Sequence, residues 1–293
     1  MENNKYNMVA VDLDGTLVKN DKTISRTTKK VFIELQKRGV RLILASGRCV
    51  LGISQVAKQL ELGRYGGYML AFNGGRIIDA SNNKTMFSNE IAVDLYSRIF
   101  EIRNEYNLDI LSYNKEQNCL ISNNILNKFA ELDSKINNMK LIEVKDFENY
   151  VTYKEPKFLM LGEPDKLEKI EAPIRNKLKD SLEVYRSEPC FIEILPKGID
   201  KGSSLAWLCK YLDSSMSELL AIGDSYNDIN MIRLAGCGVA MDNAVKELKA
   251  VSDYVTNSNE EDGAARAVER IIQPVRCCWL AFRPRCRCRA GQP

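Results

Sequence analysis

The chain has 293 residues, of which 45% are hydrophobic and 28% charged, with a formal net charge of +3 and no histidine. Those totals fit a soluble globular protein of one or two domains. The missing histidine excludes Ser-His-Asp and Cys-His catalysis, histidine-based zinc sites and phosphohistidine intermediates. Any catalysis has to run on carboxylates, lysine, hydroxyls and a hard metal.

The N-terminus, MENNKYN, is polar and leads straight into an apolar run, so it does not read as a signal peptide. No run reaches the ~20 apolar residues of a membrane helix, and a cytoplasmic location is expected. Met8–Val11 reads as a strand that runs directly into two carboxylates, Asp12 and Asp14, and turns on Gly15. Ser25 is the expected N-cap of a helix over 26–38, with Val31, Phe32 and Leu35 on one face and Gly39 as its stop. "VRLILA" (40–45) is apolar throughout, as a strand covered on both faces would be. A helix over 51–62 and a strand over 68–72 follow. This alternation predicts a parallel sheet with right-handed crossovers.

Between about 80 and 190 Asn, Lys and Glu become frequent. The expected elements are a long helix at 90–105, strands at 108–113, 118–122, 157–162 and 181–186, and a helix at 165–178. Then the first texture returns: strand "FIEILP", helix 201–212, strand 218–224, helix 227–235, strand 238–241 and helix 262–272. The fold class expected is therefore α/β. A three-layer Rossmann-like core of parallel strands is made by 1–82 and 190–272, and an α+β domain is inserted at 83–189.

The last stretch, 273–293, holds five arginines, four of the nine cysteines and no acid, so the formal +3 becomes −2 once it is set aside. The body then carries no electrostatic footprint for nucleic acid. The tail reads as an appended or read-through segment, disordered in solution. Cys49, Cys119, Cys190, Cys209 and Cys237 are scattered singly and read as core filler.

Ligands of open parallel sheets gather beyond the carboxyl ends of the strands. Four of the expected strand ends carry polar residues: Asp12–Thr16, Ala45–Arg48, the approach from "FIEILP" to Lys201, and Asp224–Asp228. Asp12 and Asp14 can stay ionised side by side if a divalent cation sits between them and the acids of 224–228. An all-oxygen site in a histidine-free chain suits magnesium better than zinc. Lys201, the Ser46 hydroxyl and nearby backbone N–H groups complete a phosphate site. Arg48 reads as a solvated or salt-bridged arginine.

"DLDGT" (12–16), "LASGR" (44–48), "LPKGIDKGSSL" (195–205) and "IGDSYNDINM" (222–231) together resemble, in order and spacing, the four motifs of the haloacid dehalogenase superfamily of phosphohydrolases. The resemblance covers 1–272 and is to the Cof-like branch, whose cap is inserted between the second and third motifs. It implies a magnesium-dependent hydrolase of a small phosphorylated metabolite such as a sugar phosphate, flavin mononucleotide or pyridoxal phosphate. Asp12 would be the nucleophile that forms an aspartyl-phosphate. Asp14 would be general acid and then base, and would lend its backbone carbonyl to the metal. Ser46, Gly47, Lys201 and Asn227 would bind phosphate. Asp12, Asp14, Asp224 and Asp228 would make up the metal site. Asn73, in "AFNGG", would stand at the substrate mouth. A phosphomutase or phosphotransferase using the same aspartyl-phosphate is the alternative. No nucleic-acid or membrane partner is expected, and the oligomeric state is left open.

Overall fold

A computed structural model describes residues 5–272; the tail lies outside the described residues. The chain opens with β1 (Met8–Val11), α1 (Arg26–Lys37), β2 (Arg41–Ala45), α2 (Val50–Gln59), β3 (Tyr68–Ala71), β4 (Arg76–Asp79) and β5 (Lys84–Ser88). It continues through α3 (Tyr96–Glu105), β6 (Asp109–Tyr113), β7 (Cys119–Ser122), α4 (Lys128–Asn137), β8 (Lys140–Glu143) and α5 (Phe147–Tyr150). Next come β9 (Phe158–Leu161), α6 (Pro164–Leu178), β10 (Leu182–Glu188) and β11 (Phe191–Pro196). It closes with α7 (Lys201–Tyr211), β12 (Leu219–Gly223), α8 (Ile229–Leu234), β13 (Cys237–Ala240), α9 (Lys246–Val251), β14 (Tyr254–Val255) and α10 (Gly263–Ile271). No helix among the described residues is long and apolar enough to cross a membrane.

Local chemistry explains the early elements. Ser25 caps α1, its hydroxyl accepting the Thr28 N–H at 3.0 Å, and Gly39 ends the helix at φ +84°. Val31, Phe32 and Leu35, with Thr28 and Gln36, form its buried face, the one-sided stripe of a surface helix.

The strands form two sheets. The eight-stranded core sheet has the order β14-β13-β12-β1-β2-β3-β4-β5. Strands β14 to β3 run parallel, and β4 and β5 return antiparallel at the edge. β1 lies between β2 and β12, so chain order reverses at the β1/β12 pair. That is the topological switch point at which such sheets bind ligands.

The second sheet has six strands in the order β10-β11-β9-β6-β7-β8, and all its pairs are antiparallel except β7 with β8. This corrects the expected boundaries at both ends. β4 and β5 keep the core going to Ser88, beyond residue 82. β11, expected to reopen the core at 190, belongs to the insert, with Ile194 opposite Phe158 on one side and Val184 on the other. The core resumes only at α7.

β11 misleads because all six of its residues are buried, as in a central parallel strand. The cause is different. One face of the second sheet, through Ile110, Phe158, Met160, Ile192 and Ile194, covers an apolar cluster shared with α3 and α6. The other face, through Leu111, Tyr113, Leu159, Leu161 and Phe191, joins the large core cluster. Tyr113 meets Phe72 edge-on at 5.2 Å between ring centres, a geometry aromatic pairs favour. The sheet is thus covered on both sides by different domains.

The revised boundary has a measurable consequence. Joining Asn89 to Ile199 through a short Gly-Ser bridge should give a soluble core that unfolds cooperatively. Deleting 83–188 instead removes β5 and leaves apolar β11 without partners, and it should aggregate. Soluble yield and thermal unfolding compare the two; equal behaviour would return β11 to the core.

Candidate active site

The site is built where β1 and β12 end side by side. The Asp12 N–H donates to the Ile222 carbonyl at 3.0 Å, which extends the β1–β12 ladder one residue into the loop. Gly15 then turns at φ +76°, and a Cβ there would lie 2.4 Å from Asp224 Oδ2. Only glycine allows both the turn and that approach. Thr16 Oγ1 donates to Asp224 Oδ1 at 2.7 Å.

Lys201 is the first residue of α7, after the N-cap Asp200, and is fully buried. Its Nζ donates to Asp12 Oδ1 and to Asp228 Oδ1, both at 2.6 Å. The other Asp228 oxygen accepts the N–H groups of Asp224 and Ser225, at 2.9 and 3.0 Å. The Asp228 carboxylate is thereby held by three donors, one cation and two backbone N–H groups. Burial pushes the Asp12 carboxyl well above the ordinary carboxylate range; Lys201 pulls it down, while Asp228 and Asp224 push it up again. Asp224 is pushed up to about 7, first by burial and then by the charge of Asp228. Burial works against the Lys201 ammonium, but Asp12 and Asp228 more than offset it and its pKa is raised.

Carboxylate oxygens of Asp12, Asp224 and Asp228 lie within 4.8 Å of one another. Lys201 pairs with the buried Asp12 and Asp228 and leaves the half-buried Asp224 without an ammonium, so a cation is electrostatically wanted, and an all-oxygen donor set suits a hard divalent ion. The residues fit a metal. The Asp14 carboxylate is not part of this cluster; the contact expected of Asp14 with the metal is through its backbone carbonyl. Arg48 forks onto it, Nε to Oδ2 and Nη2 to Oδ1, each at 2.7 Å, and Lys22 Nζ adds a contact at 2.7 Å. Burial raises the Asp14 pKa, but the hydrogen bond and charge of Arg48, with Lys22, outweigh it and leave the carboxyl below its usual value. Arg48 is buried and salt-bridged rather than solvated.

The loop after β2 brings Ser46 and Gly47 to the same place. The Ser46 hydroxyl accepts the Arg48 N–H at 3.1 Å, while α2 is capped by the Cys49 thiol, which accepts the Gly52 N–H at 3.4 Å. Asn73 is fully buried at φ +56°, a conformation asparagine tolerates better than most residues. It accepts from Asn227 Nδ2 at 2.9 Å and donates to Glu193 Oε2 at 3.0 Å. It thus lies between the loop after β12 and the insert, and with Asn227 it lines a neighbouring cavity.

Glu193 belongs to a group that sequence reading missed. Lys157, just before β9, donates to the Gly47 carbonyl at 2.9 Å and contacts Glu193 Oε2 at 3.3 Å, both side chains buried. An acid in the middle of "FIEILP" was the available signal, since a buried strand tolerates a carboxylate only with a partner. The insert also supplies Asp133 and Glu188 to a cavity of about 190 Å³, which Asp12, Asp14, Ser46, Gly47, Asp224 and Asn227 line from the core. Burial pushes Asp133 up to about 6; Lys157 pulls it down and Glu193 pushes it up.

The sequence profile of the haloacid dehalogenase-like hydrolases matches residues 9–268. The chain belongs to the haloacid dehalogenase-like hydrolases. A solved member of that group from Bacteroides thetaiotaomicron is 38% identical, with a TM-score of 0.83, and the match covers 91% of this chain and 99% of that one. A Streptococcus pyogenes protein named as a phosphatase is 31% identical over 90% of this chain and 98% of its own. The 5-amino-6-(5-phospho-D-ribitylamino)uracil phosphatase YcsE of Bacillus subtilis is 30% identical over 90% of this chain and 95% of its own. With these haloacid dehalogenase-like relatives, the chain is an enzyme of the phosphatase type.

Removing the shared cation should be costly. Lys201→Met leaves Asp12 and Asp228 buried without it, and the loss expected in chelator is about 3–5 kcal/mol. Urea unfolding with the metal stripped measures this. A loss below about 1 kcal/mol, the scale of an exposed ion pair, would show that Lys201 does not carry the two acids.

Proposed function

We propose that the protein is a magnesium-dependent phosphatase that hydrolyses a small phosphorylated metabolite through a covalent intermediate on Asp12. The observation that carries this reading is Asp12 itself. It is a buried carboxylate with Lys201 on one oxygen, two further acids within metal-sharing distance and the Ser46–Gly47 loop across the same cavity.

Asp12 attacks phosphorus, and the P–O bond to the leaving alcohol breaks. Asp14 gives its proton to that oxygen. It then takes a proton from the incoming water, whose oxygen attacks the aspartyl-phosphate, so that inorganic phosphate leaves and Asp12 is regenerated. Asp14 is paired with Arg48 and Lys22 in this arrangement, so it has to take up a proton from solvent as the ester enters and that pair opens. Lys201 favours the anionic form of Asp12 and offsets charge on the transferring group; Ser46 and the Gly47 N–H donate to phosphoryl oxygens. Asp12, Asp224 and Asp228 would hold magnesium, which supplies positive charge where the phosphoryl oxygens gather negative charge.

The YcsE relative is named for a ribityl phosphate substrate. That supports a flavin-related or sugar-like ester within the class of sugar phosphates, flavin mononucleotide and pyridoxal phosphate. The insert would act as the cap that excludes water and reads the leaving group.

Asp12→Asn is nearly isosteric but cannot attack phosphorus. It should lose at least about 100-fold in turnover of any ester while keeping the wild-type circular dichroism spectrum. Retention of more turnover than that would end the covalent mechanism. Inorganic phosphate release, against phosphoryl transfer to a second alcohol, separates hydrolase from mutase.

Chelation should abolish activity, with magnesium restoring it and calcium restoring it poorly, because calcium takes more ligands at longer distances. Magnesium should also raise the melting temperature of the wild type and fail to do so for Asp224→Asn. Full activity after exhaustive chelation would rule the metal out.

A further inference from the structure

The phosphoryl chemistry uses only the core side of the cavity. Its opposite wall comes from the insert, proposed above as the cap, and no single residue of that wall has yet been given a role. Helix α4 runs along that wall and is pinned to the phosphate loop, where Asn137 Oδ1 accepts the Cys49 N–H at 3.3 Å. One turn earlier stands Asp133, whose carbonyl accepts from Asn137 Nδ2 at 3.1 Å.

Asp133 is 6% exposed, and its Oδ2 has no hydrogen-bond partner among the described residues. Five buried side-chain atoms share that condition, and Asp133 is the one whose residue lines this cavity. A buried acceptor left without a donor costs about 1–3 kcal/mol, so a carboxylate oxygen without a donor, on a residue that lines the substrate cavity, points to a donor that arrives with the substrate. The nearby ammonium is already committed, since Lys157 is held by the Gly47 carbonyl and Glu193. Glu188 adds a third acid to the same wall. A carboxylate or second phosphate on the leaving group would meet like charge there; a hydroxyl would meet an acceptor.

We propose that Asp133 is a specificity residue that accepts a hydrogen bond from a leaving-group hydroxyl. The insert thereby selects polyol or sugar phosphates and rejects esters with a second anion. The proposal rests on the phosphatase reading above and deepens it.

The test compares kcat/KM for matched esters: glycerol 3-phosphate against 3-phosphoglycerate, and sorbitol 6-phosphate against 6-phosphogluconate. Within each pair only a terminal CH₂OH becomes a carboxylate. The wild type should prefer the polyol by about tenfold or more, as sites built around a substrate hydroxyl do. Asp133→Leu removes acceptor and charge together, and the ratio of sorbitol 6-phosphate to p-nitrophenyl phosphate should fall about tenfold. Asp133→Asn keeps an acceptor, so it should retain more of that ratio while tolerating 6-phosphogluconate better.

A wild type that favours the carboxylated esters, or an Asp133→Leu ratio within about twofold of wild type, would overturn the assignment. So would a tenfold preference for glucosamine 6-phosphate over glucose 6-phosphate, which would assign an ammonium instead. If Asp133→Leu fails to fold, the wild-type ranking and Asp133→Asn decide. If no ester at all is turned over, the phosphatase reading falls separately. Asp133 is then read by thermal protection: sorbitol 6-phosphate should stabilise the wild type more than inorganic phosphate does, and Asp133→Asn should reduce the increment. Equal protection by the two ligands would sink it.

Discussion

The Lys201 ammonium, held between Asp12 and Asp228 at 2.6 Å from each, is the interaction on which the rest of the site depends. Asp12 and Asp228 could not both be buried at one sheet edge without it. It ties the end of β1 to the turn after β12 through a residue that is distant from both in sequence. Its position at the start of α7, where the helix dipole disfavours a cation, is tolerable because the two acids outweigh the dipole. The same arrangement leaves Asp12 and Asp224 short of positive charge, which is the condition a divalent ion relieves.

From this centre a chain of polar contacts leads outward. Asp228 braces the turn that carries Asn227; Asn227 holds Asn73; Asn73 donates to Glu193; Lys157 joins Glu193 to the Gly47 carbonyl. Core loops and insert strands therefore share one buried hydrogen-bonded circuit. In a low-dielectric interior such networks are worth more complete than broken, so the two sheets have a defined mutual position rather than a sliding one.

Much of the core was legible in the sequence. The apolar runs of β1, β2, β3 and β12 and the Ser25 and Gly39 punctuation of α1 are local signals, and the structure follows them. Asp12, Ser46, Lys201, Asp224 and Asp228 stand at element ends that the hydrophobic pattern marks; Asp12, Ser46 and Asp224 line one cavity, and Lys201 is buried against Asp12 and Asp228. What sequence hid was pairing. "FIEILP" looks like a core strand because burial on both faces leaves the same composition whichever sheet supplies the neighbours. Asn-Gly is common in turns, so nothing local in "AFNGG" tells that the Asn73 amide is buried between Asn227 and Glu193. Asp133, Lys157 and Glu193 sit in polar or apolar stretches with no spacing rule, and only tertiary packing shows that they face a cavity.

The junction between β11 and α7 has a mechanical meaning. Only residues 197–200 separate Pro196, in the sheet of the insert, from Lys201, in the core. Four residues fully extended span at most about 14 Å, so this strap is a short leash. It turns at Gly198, φ +74°, where the N–H donates to Glu183 Oε1 and the carbonyl accepts from Ser203 Oγ. The insert therefore cannot drift far from the core, and any shift of β11 arrives across those four residues at the residue that neutralises Asp12. The placement of the insert and the electrostatic balance of the nucleophile are connected through this one short turn.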